Sequence, residues 1–243
     1  MATFVLIHGS WGGGWVWDRL RPVLEEAGHR VLTPTLTGFA EKHELSRPEV
    51  GLSANVREVA DLLTGEQVEE AILVGHSYGG MVVTGVAALV PDRIGQVVYV
   101  DGFAPTTGES AFTVLPWLDD AFVAPEGGPD WEVAPLDPRA LGANEDGATW
   151  MEGRLTPMPR LTHAEPLGPG SEEVLDGKQV TYIHCAAQEF FNDTAAAVAK
   201  RGFRLVTLTE VTHVEVLVRP QVLARELLAL LRPVGERSAP GFR

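Results

Sequence analysis

The chain has 243 residues, 45% of them apolar, and a formal net charge of −14. That length suits one sizeable α/β core and no second independent domain. The charge argues against nucleic acid or an anionic membrane as partner. No run of about 18 apolar residues is available for a membrane span, and the single cysteine, Cys185, leaves no intrachain disulfide.

The first element, residues 3–8, is an apolar run without a charged leader. It reads as a strand and not as a signal peptide, so a cytoplasmic location is expected. Further strands are predicted at 29–33, 71–75, 96–101, 180–185 and 203–207. All are continuous and rich in Val, Ile and Leu, as strands buried on both faces of a parallel sheet are. Helical patterns fall between them at 16–27, 53–63, 78–90 and 193–201. A last helix is predicted over 220–231, with Pro220 in its first turn and Val222, Leu223, Leu227, Leu230 and Leu231 on one face. Strand and helix alternating in this way predict an α/β fold, an open, mostly parallel sheet with right-handed crossovers. Residues 105–178 break the rhythm. They are dense in Pro and Gly, show no clear strand, and are too long for a simple loop. The expected organisation is a core of 1–104 and 179–232, an inserted cap of 105–178 over the carboxyl ends of the strands, and a mobile tail of 233–243.

Two glycine-rich motifs follow predicted strands. Gly75-His76-Ser77-Tyr78-Gly79-Gly80 has the G-x-S-x-G form of a nucleophile elbow, which lifts a serine hydroxyl clear of the sheet between strand and helix. Gly75 and Gly79 stand where a Cβ would collide as the chain turns. His8-Gly9-Ser10-Trp11-Gly12-Gly13-Gly14-Trp15 lacks the Lys of a phosphate-binding P-loop and the last Gly of a dinucleotide fingerprint. It suits a loop that turns the Ser10 amide toward the serine, with the Tyr78 amide as a second oxyanion donor. A merely tight turn packed by Trp11 and Trp15 is the simpler reading of the same residues.

A general base is needed at the carboxyl edge of the sheet, late in the chain. His213 stands between the last strand and the last helix and is the candidate. His8 and His76 belong to the two loop motifs, and His29 precedes a strand. His43 and His163 sit in polar loop or cap segments, and His184 reads as a packed core residue.

The order of HGSWGGGW, GHSYGG, Thr35-Leu36-Thr37-Gly38, Val98-Tyr99-Val100-Asp101-Gly102-Phe103-Ala104-Pro105 and a late Thr-His resembles one branch of the α/β-hydrolases. That branch holds plant methylesterases, hydroxynitrile lyases and many bacterial esterase-like members. The resemblance covers nearly the whole core and is weakest in the cap. It implies an α/β-hydrolase fold, a Ser-His-acid triad with Ser77 and His213, oxyanion amides at Ser10 and Tyr78, no cofactor, and an apolar pocket under the cap.

Two departures stand out. Plant members carry the triad aspartate just after the strand matching 180–185, where this chain has Ala186-Ala187-Gln188-Glu189, so Gln188 takes the acid's place. Asp101, at the end of the strand beside the elbow strand, is the favoured replacement. Glu189, Asp193 (which reads as a helix N-cap) and no acid at all stay open. Val214 stands where cyanogenic lyases carry a lysine, which argues against lyase chemistry of that kind.

The expected function is a serine hydrolase of a small apolar ester, lactone or thioester, with Trp11, Trp117, Trp131 and Trp150 on the pocket wall. A non-hydrolytic cyclase or lyase on the same scaffold is the alternative, and a non-catalytic ligand-binding protein a more distant one. The expected partner is a small apolar molecule. No membrane, nucleic acid or metal is expected, and a homodimer is left open.

Overall fold

The computed structural model describes residues 1–171 and 173–231. The tail expected at 233–243 lies outside the described residues. Strand β1 (Thr3–Ile7) leads through a glycine-rich loop and a single 3-10 turn, Gly14–Trp17, into helix α1 (Arg21–Glu26). Then follow β2 (Arg30–Leu32), α2 (Leu52–Gly65), β3 (Ala71–His76), α3 (Gly79–Leu89) and β4 (Ile94–Val100). The one long helix predicted at 16–27 is thus two short pieces. Pro22 fits the first turn of α1, and the glycines before the 3-10 turn resist a continuous helix.

The segment 105–178 holds α4 (Ala111–Val114), α5 (Trp117–Ala121), β5 (Glu132–Val133), α6 (Glu145–Met151), β6 (Met158–Pro159) and α7 (Leu161–Ala164). Where no clear strand was expected, β5 and β6 form a two-residue antiparallel pair. A run that short carries no readable alternation. The chain then returns to the sheet with β7 (Gln179–Cys185), α8 (Asn192–Lys200), β8 (Arg204–Leu208), α9 (Glu215–Val218) and α10 (Pro220–Ala229).

Six strands pair in the order β2-β1-β3-β4-β7-β8, every pair parallel. The period of two along each strand splits the core between the faces. Val5, Ile7, Leu73, Val97, Tyr99 and Tyr182 pack on the side of α2, α3 and α8. Phe4, Leu6, Ile72, Val74, Val98 and Ile183 pack on the side of α1 and α10. Both faces are covered, which is why the strands read as unbroken apolar runs. Order reverses between β1 and β3, so the loops after these strands open a crevice at the carboxyl edge. No helix among the described residues is long and apolar enough to cross a membrane.

Candidate active site

Ser77 sits between the last residue of β3 and the first of α3 with φ +53°, a left-handed backbone that a serine adopts only when its surroundings hold it there. They do. Its N–H donates to the Val100 carbonyl (3.3 Å), and its carbonyl accepts from Phe103 N–H (3.2 Å) and Gly80 N–H (3.0 Å). Glycine at 75 is required sterically, because a Cβ there would stand 2.4 Å from the Gly79 carbonyl oxygen. Gly9 is required for the same reason: its Cβ would lie 2.8 Å from Ser77 Cβ, so the first loop abuts the elbow.

The orientation of that loop follows from His8. Its Nδ1 donates to the Gly9 carbonyl (2.7 Å) while its Nε2 accepts from Leu36 N–H (3.0 Å), which fixes the tautomer. Burial drops its pKa to about 4, so the ring stays neutral. In a trans peptide the N–H points opposite the carbonyl. With the Gly9 carbonyl held by His8, the Ser10 N–H is turned away from that ring. Tyr78, the other amide of interest, directly precedes α3, at the positive end of the helix.

His213 lies in the loop between β8 and α9, and Asp101 directly follows the last residue of β4. His213 Nδ1 is 2.8 Å from Asp101 Oδ2. The other carboxylate oxygen accepts from Cys185 N–H (3.0 Å) and from His184 Nδ1 (3.2 Å). Burial opposes ionisation of Asp101. The hydrogen bonds from His184 and His213, the attraction of His213 and the Cys185 N–H outweigh it and bring the carboxyl pKa down to about 2. Asp101 is itself at φ +40°, held by its N–H on the Ile183 carbonyl (2.7 Å). Glu189 and Asp193, the other candidate acids, are exposed. Asp193 is not an N-cap either: Phe191 precedes α8 and Asp193 is its second residue. Gln188 braces the loop instead of the ring, its Oε1 accepting from His213 N–H at 3.3 Å.

Around His213, His76 Nε2 donates to the His213 carbonyl (2.9 Å) and its ring lies 4.6 Å from the His213 ring. Burial and the neighbouring His213 lower its pKa to about 3. Phe191 stacks on His213 at 5.5 Å. His184 is buried, as its place in a strand suggested, and bridges Asp101 to Asn192 Oδ1 (2.9 Å).

Ser77 and His213 open on one cavity with Ser10, Trp11 and Trp117. Its other walls come largely from aliphatic and phenyl groups of 105–178, among them Leu115, Leu118, Phe122 and Leu155. Two residues expected on the wall are not there. Trp150 meets Trp15 edge to face, with centroids 5.3 Å apart, and has the Arg19 guanidinium 4.7 Å from its ring, and Trp131 stays half-buried outside the lining. The indole of Trp150 finds flat cationic and aromatic partners away from the cavity, a good alternative to a pocket wall. His163, read as a polar cap residue, is instead fully buried and lines the cavity.

The family model described as "Alpha/beta hydrolase family" matches residues 4–226. The chain is 37% identical to the carbendazim hydrolyzing esterase of Nocardioides sp. (strain SG-4G), over 75% of this chain and 79% of that protein. It is 32% identical to methylesterase 8 of Arabidopsis thaliana, over 58% of this chain and 51% of the methylesterase, about half its length. Among solved structures, an extracellular alpha/beta-hydrolase from a Paenibacillus species, described as homologous to tobacco salicylic acid binding protein 2, superposes with a TM-score of 0.78. It is 25% identical and the match covers 94% of this chain and 98% of that one.

Proposed function

The chain belongs to the alpha/beta hydrolase family, and from that premise we propose that Ser77, His213 and Asp101 are the nucleophile, base and acid of a carboxylic ester hydrolase. The observation that carries the assignment is the 2.8 Å contact of Asp101 Oδ2 with His213 Nδ1, in a base that shares one apolar cavity with Ser77. Asp101 keeps the proton on Nδ1, which leaves Nε2 to take the Ser77 proton, and its charge stabilises the imidazolium that forms. Ser77 Oγ attacks the ester carbonyl, and the Ser10 and Tyr78 amides receive the oxyanion. His213 hands its proton to the departing alcohol. Water, activated by the same imidazole, then releases the acid from the acyl-enzyme.

The substrate is a small ester with an apolar acyl group. Segment 105–178 acts as a cap whose leucine and phenyl side chains desolvate it. Relatives named for carbendazim and for methyl esters agree with a compact alcohol on an aromatic or heteroaromatic acyl part. Intact-mass analysis after treatment with a fluorophosphonate is the test. One adduct is expected, on Ser77, with turnover of methyl esters of aromatic acids. An unmodified Ser77, or an adduct on another residue, would sink the assignment.

A further inference from the structure

The cavity wall holds one polar pair that this chemistry does not use. Ser10 Oγ lies 2.8 Å from His163 Nε2, and both residues line the cavity. The rings of Tyr78, Phe103, Phe112 and Phe122 enclose the imidazole, with centroids at 4.6, 6.2, 6.1 and 5.1 Å. Counting donors fixes the protons. Thr162 has a single hydroxyl proton, and it goes to the Pro159 carbonyl at 2.7 Å. Toward His163 Nδ1, 2.9 Å away, Thr162 Oγ1 is therefore an acceptor, so Nδ1 carries the imidazole proton. Nε2 is bare, and the Ser10 hydroxyl proton points at it. Burial, with Arg160 nearby, holds the His163 pKa down at about 3, so no second proton arrives near neutral pH. Ser10 Oγ is left with only lone pairs to offer the cavity.

We infer that Ser10 Oγ is a specificity-determining acceptor that favours acyl groups bearing an O–H or N–H on the atom bonded to the scissile carbonyl carbon, as in α-hydroxy esters and N-monosubstituted carbamates. The inference rests on the hydrolase reading, in which the Ser10 amide receives the oxyanion. The side-chain oxygen is three bonds from that amide nitrogen, roughly 3 Å away, so it sits beside the carbonyl. A plain ester brings the developing oxyanion against these lone pairs and leaves them unpaired. A donor on the adjacent atom satisfies them, and the gain grows as charge develops.

Methyl mandelate and methyl phenylacetate differ by one hydroxyl, and methyl N-phenylcarbamate and its N-methyl derivative by one N–H. The ratio of kcat/KM within each pair, compared between wild type and variant, cancels intrinsic reactivity. Ser10→Ala keeps the backbone amide and removes the acceptor, and the wild-type ratio should exceed the variant's by about 10- to 100-fold. His163→Phe fits the same aromatic surroundings and frees the Ser10 proton to rotate, so its ratio should also fall. It carries the comparison if Ser10→Ala does not fold. Ratios that stay the same in the variants overturn the inference and leave the hydrolase intact. So does a wild type that cleaves neither pair while Ser77 still takes up fluorophosphonate. Failure of Ser77 to react brings down the hydrolase reading, and this one with it.

Discussion

The parallel sheet and the 105–178 segment meet at one cavity and bring opposite things to it. The sheet side contributes Ser77, His213 and Ser10, with Asp101 buried behind His213, each on a loop pinned to a strand end. The backbones of Ser77 and Asp101 are in the left-handed region and tied by hydrogen bonds to neighbouring strands. The other side is made of helices of four to seven residues and one two-residue strand pair. It contributes mostly apolar surface, and its Trp117 is 42% exposed. Proton transfer needs groups placed to within tenths of an ångström, and a wall of leucine and phenyl groups does not. The comparison teaches that the groups proposed to react gather at the sheet edge, while the segment above it supplies an apolar wall in which the Ser10–His163 pair, shared between the two sides, is a polar exception.

Breaking the sheet side should have the largest effect. Ser77→Ala is expected to lower kcat for any ester by about 10³-fold or more. Near-normal turnover in that variant would mean that the sheet edge does not carry the chemistry. Asp101→Asn should cost roughly 10²- to 10⁴-fold in kcat, because the amide no longer stabilises the imidazolium or fixes its tautomer. Glu189→Gln and Asp193→Asn serve as controls, with changes below about twofold. Steady-state kinetics that ranked Glu189 or Asp193 above Asp101 would reassign the acid.

Acid stability sharpens the comparison, since both regions bury neutral histidines. His8 and His76 on the sheet side have pKa values lowered to about 4 and about 3, and His163 above it to about 3, from an ordinary 6.5. Below pH 6.5 the unfolded chain binds protons that the folded rings refuse. Stability is therefore full above that pH and is lost as the pH falls toward 4, and for His76 and His163 toward 3. The slope is up to about 1.4 kcal/mol per pH unit for each ring. Asp101, depressed to about 2, contributes stability above its ordinary 3.8 that disappears between there and 2. Urea midpoints measured from pH 7 to 4 should thus fall steadily. In His163→Phe the slope should shrink by about a third if both regions unfold together. An unchanged slope would show that 105–178 melts separately.

The smallest effect expected is on the wall. Trp117→Ala should shift relative kcat/KM among esters by about tenfold with little change in unfolding. Trp150→Ala should leave that ranking alone, its indole being engaged with Trp15 and Arg19. A ranking that responds to Trp150 and not to Trp117 would reverse the assignment of the wall.

The sequence by itself determined the α/β class, the six strands and the elbow. A parallel strand buried on both faces must be apolar throughout, and a serine turn packed against backbone must be flanked by glycine. Both demands are local and leave a local mark. Helix α9 left none, because four residues hold barely one turn. Only the tertiary structure decided which carboxylate meets His213, since that depends on β4 and β7 lying side by side with the loop after β8 folded over them. The same holds for the pocket wall. A tryptophan is large enough to line a cavity or to stack on an arginine. For Trp150 the choice was made by Arg19, distant in the chain, and for His163 by four aromatic rings drawn from the sheet side and the segment above it.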